Sequence, residues 1–339
     1  MSMTLPRVLL ISTGGTIAMT SGSGAGIAPT LTGEDLVRAV PELAQRAVLD
    51  VVSYSTVPSA SLTLGNLVGI AQLIDARMSE GFSGAVVVQG TDTLEETAFV
   101  LDALVDSERP VVVTGAMRGA AAPGADGPAN LLAAVTVASS AAASRLGALA
   151  VLNDEIHAGR YVQKTHTALP SAFASPGFAP IGRVIEGRVH VYARLPRPAP
   201  LSPPPNVDDV AVALLKVALG DDGRMLRVLP ELGYRGAVIE AMGAGHLPAH
   251  FAEKIERLAA VMPVVLATRV AAGPVFQGTY GFKGGEIDLI SRGAIPGGYL
   301  AGTKACLLLR LLLASGLTGD ALRAAYVARS NAVLVEADG

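Results

Sequence analysis

The stretch "LLISTGGTIAMT" (residues 9–20) begins as a continuous apolar run and then stops on two glycines held between threonines. A continuous apolar run is typical of a strand covered on both faces, as in a parallel sheet with helices on either side. Glycines directly after such a strand let backbone N–H groups approach a ligand closely. The stretch therefore predicts a buried first strand of an α/β sheet that ends at a ligand site.

The same pattern of short apolar runs and longer helical segments continues through the first half of the chain. The predicted strands are residues 8–11, 85–88, 111–114 and 149–152, and the predicted helices are residues 67–78, 94–105 and 129–139. Strands that alternate with helices indicate βαβ units, which build a parallel, doubly wound sheet.

A proline-rich segment, "ARLPRPAPLSPPPN" (residues 193–206), interrupts this pattern with six prolines. Beyond it, apolar runs at 210–215, 237–240 and 264–268 alternate with helical patterns at 252–261, 303–315 and 318–328. Prolines at this density favour neither helix nor strand, and they mark a boundary. We therefore predict an α/β fold of two domains with mainly parallel sheets: a larger, doubly wound catalytic domain over 1–192, a linker over 193–206, and a smaller α/β domain over 207–339.

Composition narrows the class of protein. The chain has 339 residues, of which 50% are hydrophobic and 16% charged, and its net charge of −3 gives no electrostatic reason to expect nucleic acid. No apolar run approaches the roughly 20 residues of a membrane span. The N-terminus "MSMTLPRVLLI" lacks the layout of a signal peptide, so we expect a cytoplasmic protein.

Polar groups follow the predicted strands at the edge where ligands bind in α/β sheets. After the second strand, Thr93 and Glu96 fit a capping box at a helix start. Capping leaves Thr91 and Asp92 unexplained, and these two are predicted to be functional. Asp126 is predicted only to begin a helix.

The first of these strand ends has the parts of a hydrolytic site. Gly14 and Gly15 can offer backbone N–H groups to an oxyanion, and Thr16 supplies a hydroxyl nucleophile. Lys164 could activate a neighbouring threonine, because a desolvated lysine can act as a base. A lysine in a loop is more commonly a solvated charge, so Lys164 alone is weak evidence.

Competing motifs are poorly supported. The HxxxH spacing of His246 and His250 resembles a zinc site, but Pro248 lies between them and no Glu follows the first histidine. The sequence also lacks a P-loop, a GxGxxG fingerprint after the first strand, and a GxSxG nucleophile elbow. We predict neither a metal nor a cofactor.

Five motifs in order resemble the bacterial-type L-asparaginase family, which includes the glutaminase-asparaginases. They are "TGGTIA", "QGTDTLEETA", "TGAMR", "ADGPANL" and "VLNDEIHAGRYVQKTHT". The likeness runs from the first strand to about residue 185, and a weaker likeness continues beyond it. It implies hydrolysis of the side-chain amide of L-asparagine, without metal or cofactor, through an acyl-enzyme.

The resemblance also implies roles for individual residues. Thr16 is similar to the primary nucleophile of the family. Thr91 would orient the water or serve as an alternative nucleophile, Lys164 would polarise it, and Asp92 would bind the substrate α-amino group. Gly15 would make room for the substrate backbone.

Further residues match the substrate-binding pattern. Ser59 matches the serine that holds the α-carboxylate, and Ala116 offers a backbone carbonyl near the leaving amide. Ala60 stands where the family often has a glutamine, which removes a substrate contact. Glu286 is the best candidate for the glutamate that completes the first triad from a neighbouring subunit, which implies a homodimer or homotetramer.

One difference between this sequence and the family pattern leaves a second function open. The family's usual loop tyrosine, which activates the first threonine, has no counterpart between Thr16 and Tyr54. The main prediction is therefore an L-asparaginase of asparagine catabolism, with weak glutaminase activity as an option. The alternative is a family member that binds or senses an amino acid with little turnover.

Overall fold

The computed structural model describes residues 4–14, 19–21, 27–29 and 32–332. The chain divides into two compact units, Met1–Leu201 and Ser202–Gly339. The mixed α/β fold in two domains with mainly parallel sheets confirms the predicted fold class. The predicted bounds of the linker, 193–206, stay a prediction.

Unit 1 is built on an eight-stranded sheet in the order β12-β11-β8-β7-β6-β5-β1-β4. Its strands are β1 (Arg7–Ser12), β2 (Met19–Ser21), β3 (Ile27–Pro29), β4 (Val48–Ser53), β5 (Gly84–Val88), β6 (Val111–Thr114), β7 (Ala148–Leu152), β8 (Glu155–Ala158), β9 (Gln163–Lys164), β10 (Phe173–Ala174), β11 (Gly182–Ile185) and β12 (Arg188–Val191). Its helices are α1 (Gly33–Arg38), α2 (Leu64–Ser79), α3 (Leu94–Leu104) and α4 (Gly127–Ala138).

The five strands β4, β1, β5, β6 and β7 are parallel, and they form the part of the sheet that the sequence predicts best. Every residue of β5, β6 and β7 is buried, because helices cover both faces. The exception is β4, an edge strand whose residues are half-buried or exposed. Because β4 is partly exposed, its sequence lacks the continuous apolar run that identifies the neighbouring strands. The sequence analysis therefore did not predict this strand.

An antiparallel extension follows β7. Strands β8, β11 and β12 continue the same sheet in antiparallel pairs. Beside them, β9 and β10 form a separate two-stranded sheet in which Lys164 pairs with Phe173. Lys164 therefore lies on a short strand and not in the loop that the sequence suggested.

Unit 2 has a four-stranded parallel sheet in the order β13-β14-β15-β16. Its strands are β13 (Val212–Lys216), β14 (Gly236–Ala241), β15 (Val264–Thr268) and β16 (Ile295–Pro296). Its helices are α5 (Met225–Val228), α6 (Ala252–Ala259), α7 (Glu286–Ser291), α8 (Gly302–Ala314) and α9 (Gly319–Ser330). Fully buried side chains such as Ile239, Ile255 and Leu309 form the core of this unit.

The proline-rich segment begins as part of unit 1. The Arg197 guanidinium donates to the carbonyl of Asp102 at 2.9 Å, and the Leu201 N–H donates to the carbonyl of Ala103 at 2.8 Å. Both partners belong to the C-terminal half of α3. Residues 197–201 are therefore fixed to the helix that follows Thr91 and Asp92 in the chain.

The long apolar helix α8 is a helix of the unit 2 core. Its Arg310 guanidinium donates to the carbonyl of Val210 at 2.9 Å. Across the part of the chain that the structure describes, no helix combines the length and the apolar character needed to cross a membrane.

Candidate active site

Three parallel strands of unit 1 bring the predicted motifs to one edge of the sheet. Ser12, the last residue of β1, is in register with Val88 at the end of β5, and Val88 is in register with Thr114 at the end of β6. The N–H of Thr13 donates to the carbonyl of Val88 at 3.0 Å. The chain segments that follow all three strands therefore meet at the carboxyl edge, where α/β sheets bind ligands.

At this edge the Lys164 amine joins two of the predicted residues. Lys164 Nζ donates to Thr91 Oγ1 at 3.0 Å and lies 2.6 Å from Asp92 Oδ1. Thr91 is buried and the Lys164 side chain is 19% exposed, whereas the Asp92 side chain is 69% exposed. A buried hydroxyl thus contacts a largely buried amine, and the carboxylate beside them faces solvent.

The backbone around Thr91 is fixed by its neighbours. The Gln89 amide donates to the carbonyl of Gly90 at 3.2 Å and to Thr93 Oγ1 at 3.4 Å. The Thr93 hydroxyl in turn donates to the carbonyl of Ser59 at 2.9 Å. These contacts fix the segment of residues 90–93 between the end of β5 and the turn at Ser59.

The capping role predicted for the Thr93 hydroxyl is wrong. Thr93 stands at the N-cap position of α3, but its side chain makes no capping hydrogen bond. Its φ and ψ of −115° and 18° differ from the extended conformation that aims a capping oxygen at the helix N–H groups. The hydroxyl binds the Ser59 carbonyl and so contributes to the site.

Ser59 lies against the same segment. Its side chain is buried, and Ser59 Oγ accepts the N–H of Asp92 at 3.3 Å. The neighbouring Ala60 is exposed. The structure thus brings Ser59 to Asp92 and Thr93.

The loop after β6 carries Ala116, which is fully buried. Asp126 holds this loop, because its carboxylate oxygens accept the N–H groups of Met117 at 3.0 Å and Arg118 at 2.9 Å. Asn130 donates to the carbonyl of Gly115 at 2.9 Å. Asp126 precedes α4 as predicted, but its side chain makes no capping bond. The prediction that Asp126 serves only to start a helix is therefore wrong.

The glycine turn after β1 is described only as far as Gly14. Gly14 has a φ of +97°, and a Cβ there would lie 3.0 Å from backbone atoms of Thr56 and Val57. Only glycine fits this conformation without strain. Gly15 and Thr16, the predicted binding residue and nucleophile, lie outside the described residues.

Glu286 lies inside unit 2. Its side chain is fully buried, and Oε1 accepts the N–H groups of Thr279 at 2.8 Å and Tyr280 at 2.7 Å. Burial raises the pKa of the Glu286 carboxyl, but the hydrogen bonds from Tyr280 and Thr279 outweigh it, so this pKa lies below its usual value. The carboxylate fixes a turn of its own unit, and its contact with the site of a neighbouring subunit stays a prediction.

The two histidines of the HxxxH spacing have different partners. His246 Nε2 lies 3.3 Å from Glu286 Oε2, whereas His250 Nε2 lies 3.0 Å from the carbonyl oxygen of Asp221. The spacing therefore reflects two separate contacts within unit 2.

Sequence reasoning missed Glu95. This residue lies in the first turn of α3, and its Oε2 accepts the backbone N–H of Lys164. Because acidic residues are common in the first turn of helices, the sequence offered no signal beyond an ordinary helix start.

A hydroxyl in contact with an amine can supply a nucleophile and a base, or activate a water molecule. At the carboxyl edge of a doubly wound sheet, this pair places the protein among α/β enzymes whose chemistry rests on side-chain hydroxyl and amine groups.

Comparisons with known proteins give the family. Residues 7–197 match the family model described as "Asparaginase, N-terminal", and residues 211–326 match the "Glutaminase/Asparaginase C-terminal domain". The chain is 38% identical to the probable L-asparaginase of Deinococcus radiodurans over 96% of this chain and 98% of that protein. It is 35% identical to the L-asparaginase of Bacillus licheniformis over 91% of this chain and 96% of that protein.

A solved structure agrees with these matches. The crystal structure of the probable cytoplasmic L-asparaginase from Campylobacter jejuni superposes with a TM-score of 0.84 at 30% identity, over 95% of this chain and 99% of that chain. The chain therefore belongs to the asparaginase family.

Proposed function

We propose that this protein is an L-asparaginase, which hydrolyses L-asparagine to L-aspartate and ammonia. The observation that carries the proposal is the 3.0 Å contact between Lys164 Nζ and the buried Thr91 hydroxyl. The two curated relatives described above are named as an L-asparaginase and a probable L-asparaginase, which supports the same substrate. These names favour turnover over the alternative of an amino-acid sensor with little activity.

Substrate binding uses the polar groups around this pair. The exposed Asp92 carboxylate binds the α-amino group of L-asparagine, and Ser59 holds the α-carboxylate. Gly15 makes room for the substrate backbone, and the Ala116 carbonyl lies near the leaving amide. The Lys164–Asp92 ion pair leaves the second Asp92 oxygen available for the substrate cation, because the Asp92 side chain is 69% exposed.

The reaction proceeds in two steps through a threonine ester. The Thr16 hydroxyl oxygen forms a bond to the side-chain amide carbon, the carbon–nitrogen bond breaks, and the nitrogen leaves as ammonia with the hydroxyl proton. Water then attacks the ester and releases L-aspartate. Thr91 orients this water and Lys164 polarises it, while the proton that the water loses passes to the Thr16 oxygen as the ester bond breaks.

Assembly and location follow the family resemblance. We propose a homodimer or homotetramer that acts in the cytoplasm. The structural neighbour from Campylobacter jejuni is described as a probable cytoplasmic L-asparaginase, which supports this location.

Ammonia release tests the proposal. Purified protein is assayed with L-asparagine and with L-glutamine beside two variants, Thr91→Val and Thr136→Val. Both variants replace a hydroxyl with a methyl group, but the Thr136 hydroxyl donates to the carbonyl of Leu132 in its own helix. We expect Thr91→Val to lower kcat by about 10³-fold or more and Thr136→Val to retain activity. A wild-type protein that binds L-asparagine without releasing ammonia would instead be the sensor.

A further inference from the structure

We propose that Glu95 is a positioning residue, which sets the Lys164 amine against Thr91 by binding the backbone N–H of the lysine. This inference rests on the proposed function, because it assigns a role in the reaction at the same site. It concerns a residue with no expected contact to substrate.

The contact joins two distant parts of the chain. Glu95 Oε2 accepts the N–H of Lys164 across 69 residues of sequence, and the Glu95 side chain is half-buried. A half-buried carboxylate that accepts a backbone N–H forms a charge-assisted hydrogen bond, which is stronger than one between neutral groups. The bond therefore fixes the backbone of Lys164 relative to the first turn of α3.

The backbone of Lys164 needs such a contact because its strand is very short. Strand β9 contains only Gln163 and Lys164, and it pairs with the two residues of β10. A lysine amine stands at the end of four methylene groups, so its position depends on where the backbone is held. The short strand alone offers few ladder hydrogen bonds to hold it.

Helix α3 links the two contacts of Lys164. Thr91 and Asp92 lie just before Thr93, which stands at the N-cap position of this helix, and Glu95 is the second residue of the helix. The helix is anchored in the core by buried side chains such as Leu94, Ala98 and Leu101. Lys164 is thus held at two nearby points: its amine at Thr91, in the turn before α3, and its backbone N–H at Glu95, in the first turn of α3.

An acid in the first turn of a helix also has a simpler explanation, since its charge is favourable near the helix N-terminus. The two roles predict different results. A helix-end charge is lost in Glu95→Gln, whereas the glutamine side-chain oxygen still accepts the Lys164 N–H. Glu95→Ala loses both.

The experiment compares wild type, Glu95→Gln, Glu95→Ala and, as control, Glu108→Ala, which removes an exposed carboxylate paired with Arg145. Steady-state ammonia release from L-asparagine gives kcat and KM for each. Hydrogen exchange by mass spectrometry, on overlapping peptides that end on either side of residue 164, reports the Lys164 amide directly. Thermal unfolding shows that each variant is folded.

We expect Glu95→Ala to lower kcat by about 30- to 100-fold with KM changed less than about twofold, because displacing a reactive group by 1 Å can cost about 10²-fold. Glu95→Gln and Glu108→Ala should keep kcat within about threefold of wild type. The Lys164 amide should exchange faster in Glu95→Ala and stay protected in Glu95→Gln. If Glu95→Ala does not fold, Glu95→Asp takes its place, since its carboxylate is one methylene too short.

Three results would overturn the inference: a Glu95→Ala kcat within about threefold of wild type, a Glu95→Gln kcat as low as that of Glu95→Ala, or an unchanged Lys164 exchange rate in Glu95→Ala. An inactive wild type would instead refute the proposed function. In that case the exchange rates still decide whether Glu95 positions Lys164.

Discussion

Replacing Asp126 with alanine should destabilise unit 1 and impair the site. The Asp126 carboxylate accepts the N–H groups of Met117 at 3.0 Å and Arg118 at 2.9 Å, on the loop that carries Ala116. Hydrogen bonds to a charged group contribute about 1.5–3 kcal/mol each. Because Asp126 is half-buried, the lower end applies, and losing these two backbone bonds costs about 3 kcal/mol.

A loss of this size is easy to measure. For a unit of this length, a loss of 3 kcal/mol in the free energy of unfolding lowers Tm by roughly 6–12 °C. Circular dichroism can follow a change of this size. Asp106→Ala, the removal of an exposed carboxylate in the same unit, is the matched control and should shift Tm by less than about 2 °C. We also expect kcat to fall in Asp126→Ala, because the carbonyl of Ala116 is no longer held. An Asp126→Ala variant as stable and as active as the control would refute this reasoning.

Three further predictions concern acid stability, metal independence and assembly. The pKa of Glu286 is lowered from its ordinary value of 4.5, so its contribution to the free energy of unfolding is present above that pH and is lost as pH falls through the lowered pKa. Glu286→Gln should therefore have a smaller free energy of unfolding than wild type at pH 7. Urea titrations should show this difference between the two proteins shrinking in acid, and a difference that is constant with pH would contradict the prediction. EDTA should leave ammonia release unchanged, because a hydroxyl and an amine supply the chemistry; inhibition reversed by added zinc would show that a metal site was missed. Light scattering at low micromolar concentration should give at least a dimer, whereas a fully active monomer would count against assembly.

The parallel part of the fold could be predicted from the sequence because burial on both faces leaves a clear pattern. The predicted strand 111–114 coincides with β6, and 264–268 coincides with β15. The antiparallel strands β11 and β12 were missed because each has only four residues, which alternate between buried and exposed in β11 and between half-buried and exposed in β12. Short alternating runs of this kind also occur in loops, so periodicity alone does not identify them.

The residues of the candidate site also divide into those that the sequence predicted and those that it did not. Thr91, Asp92 and Lys164 were predicted together, and the structure brings them within hydrogen-bond distance. Glu95 and Asp126 were not recognised as site residues, because neither binds a backbone N–H group of the helix that it begins: Glu95 binds an N–H 69 residues further along the chain, and Asp126 binds N–H groups in the loop before the helix. Their side chains look like ordinary helix starts, and only tertiary structure shows which N–H groups they bind.

A double-mutant cycle on kcat tests most directly whether Thr91 and Lys164 act as one catalytic unit. Wild type, Thr91→Val, Lys164→Met and the double variant are assayed for ammonia release from L-asparagine. Residues that act as a unit have strongly non-additive effects. We predict that each single change lowers kcat by about 10³-fold or more, and that the double variant is less than about tenfold slower than the slower single variant. Losses that multiply, or a Lys164→Met variant as active as wild type, would contradict the account.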